Sequence, residues 1–138
     1  MTSPHTRRPT WTLTELEAAL RAAWGPDTCD PVDLPDWRPD NPARGQCGVT
    51  ALVLHDLLGG DLLLAEVHHA DGTRQGVHYW NRLPGGLQID LTRSQFDRGE
   101  TVGDPRPVPR PPGPPHRCAT QYALLHRRLH KALHLPTR

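Results

Sequence analysis

Apolar residues recur at helical spacing in three stretches of the chain. The first predicted helix begins at Thr12, which forms a capping box with Glu15, and it ends before Gly25-Pro26. The second covers about residues 46–58 and is almost wholly apolar in its first half, so we expect it to be the buried central helix. The third spans about residues 119–134 and carries one apolar stripe.

Between the second and third helices, alternating or β-branched segments predict three strands. They cover residues 62–69, 77–82 and 87–91, with turns at Asp71-Gly72 and Pro84-Gly85-Gly86 between them. Strands joined by short turns pair in the antiparallel sense. The sequence therefore predicts an α+β fold, with two N-terminal helices, a small antiparallel sheet and a C-terminal helix that crosses the core.

The register of the second predicted turn decides which side chains meet. A three-residue turn at Leu83-Pro84-Gly85 would place His78 opposite Asp90 and Trp80 opposite Gln88. Directly opposed Cβ atoms lie roughly 4.5–5.5 Å apart, so an imidazole–carboxylate hydrogen bond would be within reach. A turn of two or four residues would shift the pairing by one and move His78 to the other face from Asp90.

Two parts of the chain depart from this globular pattern. Residues 1–10 are expected to form a disordered leader, which leaves residues 11–138 as a single domain. Residues 104–115 contain seven prolines and predict an extended, polyproline-like arm inserted into that domain. The arm includes overlapping Pro-x-x-Pro matches, among them those that begin at Pro109 and Pro111, so it is either a spacer or a docking segment for a partner domain.

Composition narrows the classes of function. The 16 Lys and Arg residues nearly balance the 15 Asp and Glu residues, which argues against nucleic-acid binding as the main role. No apolar run approaches the ~20 residues that a membrane span needs, and no signal peptide is visible. Three cysteines without close pairing favour a reduced, cytoplasmic protein over a disulfide scaffold.

Cys47 is the residue that suggests a catalytic function. It opens the second predicted helix, where unpaired backbone N–H groups favour a thiolate and should lower the pKa of the thiol from ~8.5. His78 follows on one predicted strand and Asp90 on the next. A histidine can activate a thiol, and a carboxylate can fix the tautomer of that histidine. The order Cys, His, Asp therefore predicts a nucleophile, a base and an orienting group.

Four segments of the chain also carry a family resemblance. They read Trp37-Arg-Pro-Asp-Asn-Pro-Ala-Arg-Gly45-Gln46-Cys47-Gly-Val-Thr-Ala, Leu58-Gly-Gly-Asp-Leu62, His78-Tyr-Trp-Asn81 and Asp90-Leu-Thr-Arg-Ser-Gln-Phe96. Together they resemble the YunG-like family of small, functionally uncharacterised bacterial proteins. The resemblance covers most of residues 11–133 except the proline-rich arm, and it implies a fold more than a reaction.

More distantly, the order of Cys, His and Asp is similar to that in papain-like and transglutaminase-like folds, including the NlpC/P60 group. In those folds a cysteine at the start of a helix packs against a sheet that carries the histidine and its polar partner. The resemblance implies a papain-like core in which Cys47 is the nucleophile, His78 the base and Asp90 the orienting residue. It also offers Gln46 as an oxyanion donor, adjacent to the cysteine rather than a few residues before it.

Plainer interpretations of the same residues stay open. Cys47 could be a small core residue on an apolar helix, and His78 could satisfy a buried hydrogen bond. Asp90 could instead cap a turn or pair with an arginine, and Asn81 could close the turn. Trp37 and Trp80 would line a substrate cleft on one interpretation and serve as packing residues on the other.

Nine histidines raise the question of a metal site. His126, His130 and His134 recur every four residues, a spacing at which helical histidines can bind zinc. They lie on the edge of a basic face without an acidic partner or nearby cysteine, so a solvated face is the better interpretation. The sequence therefore predicts no metal.

These observations favour a cysteine-dependent hydrolase or acyltransferase that acts on an amide or thioester and needs no cofactor. Its substrate would be a small-molecule or peptide-like acyl compound, bound near Gln46, Trp80, Asn81 and Trp37. The alternative is a papain-like binding module whose cleft around Cys47 and Trp80 holds a ligand without turnover. A third possibility is a redox or metal-handling protein.

Overall fold

The computed structural model describes residues 11–96 and 99–136, and in these it has three α-helices and five β-strands. The helices are α1 (Leu13–Ala23), α2 (Cys47–Leu58) and α3 (Ala119–Ala132). The strands are β1 (Asp61–His68), β2 (Arg74–Arg82), β3 (Gln88–Ile89), β4 (Thr101–Val102) and β5 (Arg106–Val108). The predicted α+β class is confirmed. The predicted leader, residues 1–10, lies outside the described residues.

Helix α1 begins with the capping box that its sequence predicts. The hydroxyl of Thr12 accepts a hydrogen bond from the Glu15 backbone N–H at 3.1 Å, and the Glu15 carboxylate accepts one from the Thr12 N–H at 3.2 Å. Two of the backbone donors at the helix start are thereby satisfied. The apolar face of α1 then buries Leu16 and Leu20 completely.

The sheet is antiparallel and is built on the pairing of β1 with β2. β3 pairs with the far edge of β2, whereas β4 and β5 both pair with the far edge of β1. Side chains alternate between the two faces of a strand. Tyr79 and Asn81 of β2 therefore lie on one face, and His78 and Trp80 lie on the other.

The hairpin between β2 and β3 has the predicted faces but not the predicted pairing. Arg82 lies opposite Gln88, and the Leu83 N–H donates to the Leu87 carbonyl at 2.7 Å, so the three turn residues are 84–86. The predicted register is wrong by two residues, because the turn begins one residue later than expected. An even shift keeps every side chain on its face, so His78 still shares a face with Asp90.

The proline-rich arm is not the free spacer that its composition suggests. Arg106–Val108 form β5 against residues 62–64 of β1. A proline is tolerated there because β5 is an edge strand, where an N–H can be missing without breaking a ladder on its outer side. Farther along, the Arg110 guanidinium donates to Asp56 at 2.7 Å and to the Leu52 carbonyl at 3.3 Å of α2.

One main hydrophobic core holds the three helices together and reaches the sheet through Ile89. Its buried members are Leu16, Leu20, Ala23, Trp24, Ala43, Val49, Val53, Leu54, Ile89, Leu125, Leu129 and Leu133. A smaller cluster of Leu63, Ala65 and Trp80 lies on the opposite face of the sheet. The described residues include no helix long and apolar enough to cross a membrane.

Candidate functional site

Cys47 is the first residue of α2, and the chain before it is held tightly. Gly45 has a φ of +72°, in the left-handed region that favours glycine. A Cβ atom there would collide with the sulfur of Cys29 and would lie 2.8 Å from the Asp33 Cβ. The Gly45 N–H donates to the Gln95 side chain at 3.3 Å. Only glycine fits this approach to the helix start.

The Cys47 thiol is partly buried, and its surroundings favour the neutral form. Burial is the largest effect and raises the pKa of the thiol to about 11, with further increases from the charges of Asp33 and Asp90. The backbone N–H groups of Tyr79 and Gly48 reach the sulfur and oppose this increase without cancelling it. The prediction of a depressed pKa is therefore wrong, because desolvation outweighs the helix N-terminus.

His78 is fully buried on β2 and is held by two aromatic rings. Its imidazole stacks on Trp80, with ring centroids 5.3 Å apart, and meets the edge of Phe96 at 4.8 Å. Phe96 follows the short 3₁₀ helix Arg93–Gln95, which packs this segment against that face of the sheet. The ring of His78 is therefore fixed in orientation.

A strong hydrogen bond joins His78 to Asp90. The distance from His78 Nε2 to Asp90 Oδ2 is 2.7 Å, and the same carboxylate oxygen accepts from Arg93 Nε at 2.6 Å. Burial opposes ionisation of Asp90, but the hydrogen bonds and charges of His78 and Arg93 outweigh it and hold the pKa of the carboxyl below its usual range. An ionised carboxylate only accepts, so Nε2 carries the proton that is shared with Asp90.

In the neutral ring, a proton on Nε2 leaves the other ring nitrogen of His78 as an acceptor. Nδ1 is buried and has no hydrogen-bond partner among the described residues. Neutral imidazole protonated on Nε2 has its basic lone pair on Nδ1, the nitrogen nearer its own backbone. The next backbone N–H along β2, that of Tyr79, reaches the Cys47 sulfur.

The structure thus brings the three predicted catalytic residues together only in part. His78 and Asp90 form a hydrogen-bonded pair, and Cys47 lies against the backbone of the residue next to His78. Within the part of the chain that the structure describes, no hydrogen bond links the Cys47 thiol to the His78 ring.

Gln46 and Asn81 have structural contacts. Gln46 is fully buried; its amide oxygen accepts from the Thr28 hydroxyl at 2.8 Å, and its amide nitrogen donates to the Gly25 carbonyl at 3.0 Å. Asn81 donates to the Ala51 carbonyl of α2 at 3.0 Å. These bonds tie the start of α2 to the loop after α1 and to β2. The oxyanion role of Gln46 stays a prediction that its contacts do not favour.

The two tryptophans proposed for the site differ in their positions. Trp80 touches the candidate pair, since it stacks on His78 and its indole N–H donates to Gln88 at 2.9 Å. Arg93, which binds Asp90, also lies over the Trp80 ring at 5.3 Å. Trp37 is partly buried in its own loop, where its indole N–H donates to the Pro42 carbonyl at 3.2 Å.

A cleft of about 860 Å³ opens beside Cys47. α2 contributes Cys47, Gly48 and Leu52, and β2 contributes Tyr79. The later part of the arm, with the residues that follow it as far as Cys118, forms another wall. His78, Trp80 and Trp37 do not line it. The arm and Arg110 are site residues that sequence reasoning missed, because a proline-rich composition signals extended chain but not the surface on which it lies.

Among the residues that the structure describes, the other cysteines and the histidines form no second candidate site. All three cysteines are free thiols, and burial raises the pKa of Cys29 to about 12 and also raises the pKa of Cys118. His126 and His130 stack with ring centroids 4.0 Å apart. Across residues 11–96 and 99–136, no group of three or more His, Cys, Asp or Glu side chains is arranged to hold a metal ion.

Comparison with known proteins identifies the family. Residues 12–134 match the family model described as YunG protein, and this span includes Cys47, the His78–Asp90 pair and the arm. The chain belongs to the YunG family. The arm lies inside the matched span, and its interpretation as an insertion stays a prediction.

A curated relative agrees with this assignment. The chain is 37% identical over 60 residues to the "Uncharacterized protein YunG" of Bacillus subtilis (strain 168), an alignment that covers 44% of this chain and 46% of that protein. The chain thus spans less than half the length of the curated relative that it matches. No solved structure matches, so the comparisons give no support to a papain-like relationship.

Proposed function

We propose that this YunG-family protein is a cysteine-dependent hydrolase or acyltransferase, with Cys47 as nucleophile, His78 as base and Asp90 as the residue that orients His78. The observation that carries the proposal is the buried, unpartnered Nδ1 of His78 on a ring whose Nε2 is held by Asp90. A fixed imidazole with its basic nitrogen unoccupied is the group that a thiol nucleophile needs. The papain-like core that the sequence resembles is part of this proposal.

The resting pKa of Cys47 determines how the first step would run. At neutral pH a thiol with a pKa of about 11 is protonated, so the proton must leave as the sulfur attacks. Because the cleft lies with the Tyr79 face of β2 and the His78 ring lies on the other face, the Cys47 Sγ–H proton would have to pass the backbone of β2 to reach His78 Nδ1 while a bond forms between Sγ and the substrate carbonyl carbon. Asp90 stabilises the imidazolium through Nε2–H without taking its proton.

Collapse of the tetrahedral intermediate would complete the acyl transfer. His78 returns the proton to the departing amine or thiol, and the acyl group remains on Cys47 as a thioester. Water, or another nucleophile in an acyltransferase, then gives its proton to His78 and attacks that thioester, which releases the acid or the new acyl product and restores the thiol. A reducing compartment such as the cytoplasm would keep Cys47 free for this cycle.

The start of α2 would supply the donors for the oxyanion. The first backbone N–H groups of a helix have no intrahelical partner, and Cys47 and Gly48 occupy these positions. Nothing lies within 4 Å of where a Cβ atom of Gly48 would be, so a substrate carbonyl can approach the backbone there. Donors of this kind typically contribute about a hundredfold or more to the rate.

The proposal predicts a covalent intermediate. Incubation with a small aryl ester should add the mass of the acyl group, and peptide mapping should place it on Cys47. Cys47→Ala protein should acquire no such adduct. If acylation falls equally on all three cysteines, or if none forms with a panel of esters and thioesters, the catalytic proposal fails.

The second candidate is a binding module without turnover. Its specific support is the cleft of about 860 Å³ beside a thiol that burial keeps neutral and that makes no hydrogen bond to His78 among the described residues. A ligand would then bind reversibly, and Cys47→Ala would leave its affinity within about twofold, because replacing one small side chain removes little contact area. Acyl-adduct formation separates the two candidates directly.

A further inference from the structure

The cleft beside Cys47 has apolar walls along most of its length. Leu52 of α2, Val77 and Tyr79 of β2, and Val108 and Pro109 of the arm all line it. Its volume of about 860 Å³ lies within the usual range of roughly 300–1,000 Å³ for small-molecule sites. Charged side chains line it as well, but Arg110 is paired with Asp56 and Arg117 with Asp30. Predominantly apolar walls with a small number of polar groups are typical of small-molecule sites.

The charged groups at the Cys47 end of the cleft disfavour an anion. Arg44 lies 3.3 Å from Asp33, 3.8 Å from Asp36 and 3.7 Å from Glu100, so three carboxylates surround one guanidinium. The same negative field raises the pKa of the Cys47 thiol through Asp33, after the larger effect of burial. A negatively charged group beside Cys47 would meet the same repulsion.

The proline-rich arm limits the size of the occupant. β5 pairs the start of the arm with β1, and Arg110 joins its middle to Asp56 and the Leu52 carbonyl of α2. Two residues beyond its end, a salt bridge joins Arg117 to Asp30. The wall is therefore held at three places. An occupant must fit between the arm and the sheet, which excludes a folded protein surface.

We propose that this cleft is the binding site for the apolar acyl group of a small molecule, one that carries no negative charge. The identification of the bound group as an acyl group rests on the proposed function. The geometry of the cleft stands without it, because an apolar ligand would bind there whether or not Cys47 reacts.

A series of methanethiosulfonates tests the proposal without acyl chemistry. The reagents carry methyl, hexyl or sulfonatoethyl groups, and each rate at Cys47, resolved by mass spectrometry, is divided by the rate of the same reagent with 2-mercaptoethanol. The normalised rate should increase about tenfold or more from methyl to hexyl, as partial burial of about five methylene groups would give. Sulfonatoethyl should be the slowest. A flat series, or a sulfonate that reacts fastest, would overturn the proposal.

A matched pair of substitutions locates the effect. Leu52→Asp places a charge in the cleft wall and should remove the preference for hexyl. Leu87→Asp makes the same change just after the hairpin turn, at a position that is 61% exposed, and should preserve the preference. A preference that persists in Leu52→Asp protein would show that the hexyl group lies elsewhere.

A non-covalent readout separates this proposal from the catalytic one. Cys47→Ala protein should gain thermal stability from N-hexylacetamide, and the shift should increase with ligand concentration, because the ligand binds only the folded state. The sodium salt of hexane-1-sulfonate should give a much smaller shift. If Cys47 forms no acyl adduct but this shift is present, the catalytic proposal fails and the apolar site stands. If the melting temperature of Cys47→Ala protein does not change with N-hexylacetamide, the proposal of an apolar site is overturned.

Discussion

Asp90 accepts three hydrogen bonds, and they define its role. His78 and Arg93 donate to one carboxylate oxygen at 2.7 and 2.6 Å, and the Thr92 hydroxyl donates to the other at 3.4 Å. Such a carboxylate is held ionised and in one orientation, which fixes the tautomer of His78. Arg93 also covers Trp80, so the side chains that hold His78 support each other.

Asp90→Asn should reduce acylation of Cys47 by about a hundredfold or more while changing its alkylation by iodoacetamide less than threefold. An amide can donate to Nε2 and so favour the wrong tautomer of His78, and orientation and charge stabilisation of the base are then both lost. Asp61→Asn, which removes the exposed partner of Arg82, is the control and should leave both rates unchanged. Equal losses of acylation and alkylation in Asp90→Asn would point to misfolding instead.

Asp90 should also affect stability as a function of pH. Its folded-state pKa is lowered, so it contributes stability that is present above the unfolded pKa of about 3.9 and is lost as the pH falls through the lower, folded value. Denaturant titrations between pH 2 and 6 should therefore show a smaller loss of unfolding free energy at low pH in Asp90→Asn than in the native protein. Parallel curves would contradict the lowered pKa.

The reactivity of Cys47 should increase with pH far above neutrality. Because the thiol is neutral until a pKa of about 11, its alkylation rate by iodoacetamide should increase about tenfold per pH unit from pH 7 to 10. Site-resolved mass spectrometry gives the profile for each cysteine, with Cys29, whose pKa is about 12, as the slower comparison. A rate that levels off near pH 7 would instead support the lowered thiol pKa that the sequence predicts.

At the scale of elements, Arg110 connects the arm to the body of the protein. Besides its bonds to α2, its guanidinium donates to the Tyr122 hydroxyl of α3 at 3.3 Å, and that hydroxyl also bonds to Asp56. One side chain therefore holds the arm to two helices.

Arg110→Ala should let large reagents reach Cys47. A poly(ethylene glycol) maleimide should react roughly tenfold faster than with the native protein, whereas N-methylmaleimide should change less than twofold, because only the large reagent needs the arm to open. Arg128→Ala is the matched control, since Arg128 pairs with Asp27 and with the Ala23 carbonyl away from the cleft. If both maleimides accelerate equally, the substitution has loosened the whole domain rather than the arm.

The sequence predicts elements that are long or that carry local signals. The Thr12 capping box, the apolar run of α2 and the stripe of α3 each determine a helix from neighbouring residues alone. β4 is two residues long and β5 contains a proline, so neither shows an alternation that sequence reasoning can detect. Their pairing depends on a distant strand, β1, which only the folded chain brings near.

At the scale of the whole molecule, the parts of the candidate site lie on two faces of one sheet. The helices and the Cys47 cleft lie with the Tyr79 and Asn81 face of β2, and the His78–Asp90 pair lies on the other face, under Phe96. Alternation along the strands predicted that His78 and Asp90 share a face. It could not predict the effect of burial on Cys47, because desolvation depends on packing around the thiol that no local pattern records.

The central claim is that Cys47 and His78 act together, and the most direct test compares acylation with alkylation in His78→Gln protein. Glutamine can keep a donor near Asp90 but cannot act as a base. We expect acylation of Cys47 by an aryl ester at pH 7 to fall by about 10²–10⁴-fold, the usual contribution of a general base, while iodoacetamide alkylation at the same pH changes less than threefold. Acylation that survives in His78→Gln protein at near the native rate would contradict the claim and leave the binding module as the function of the cleft.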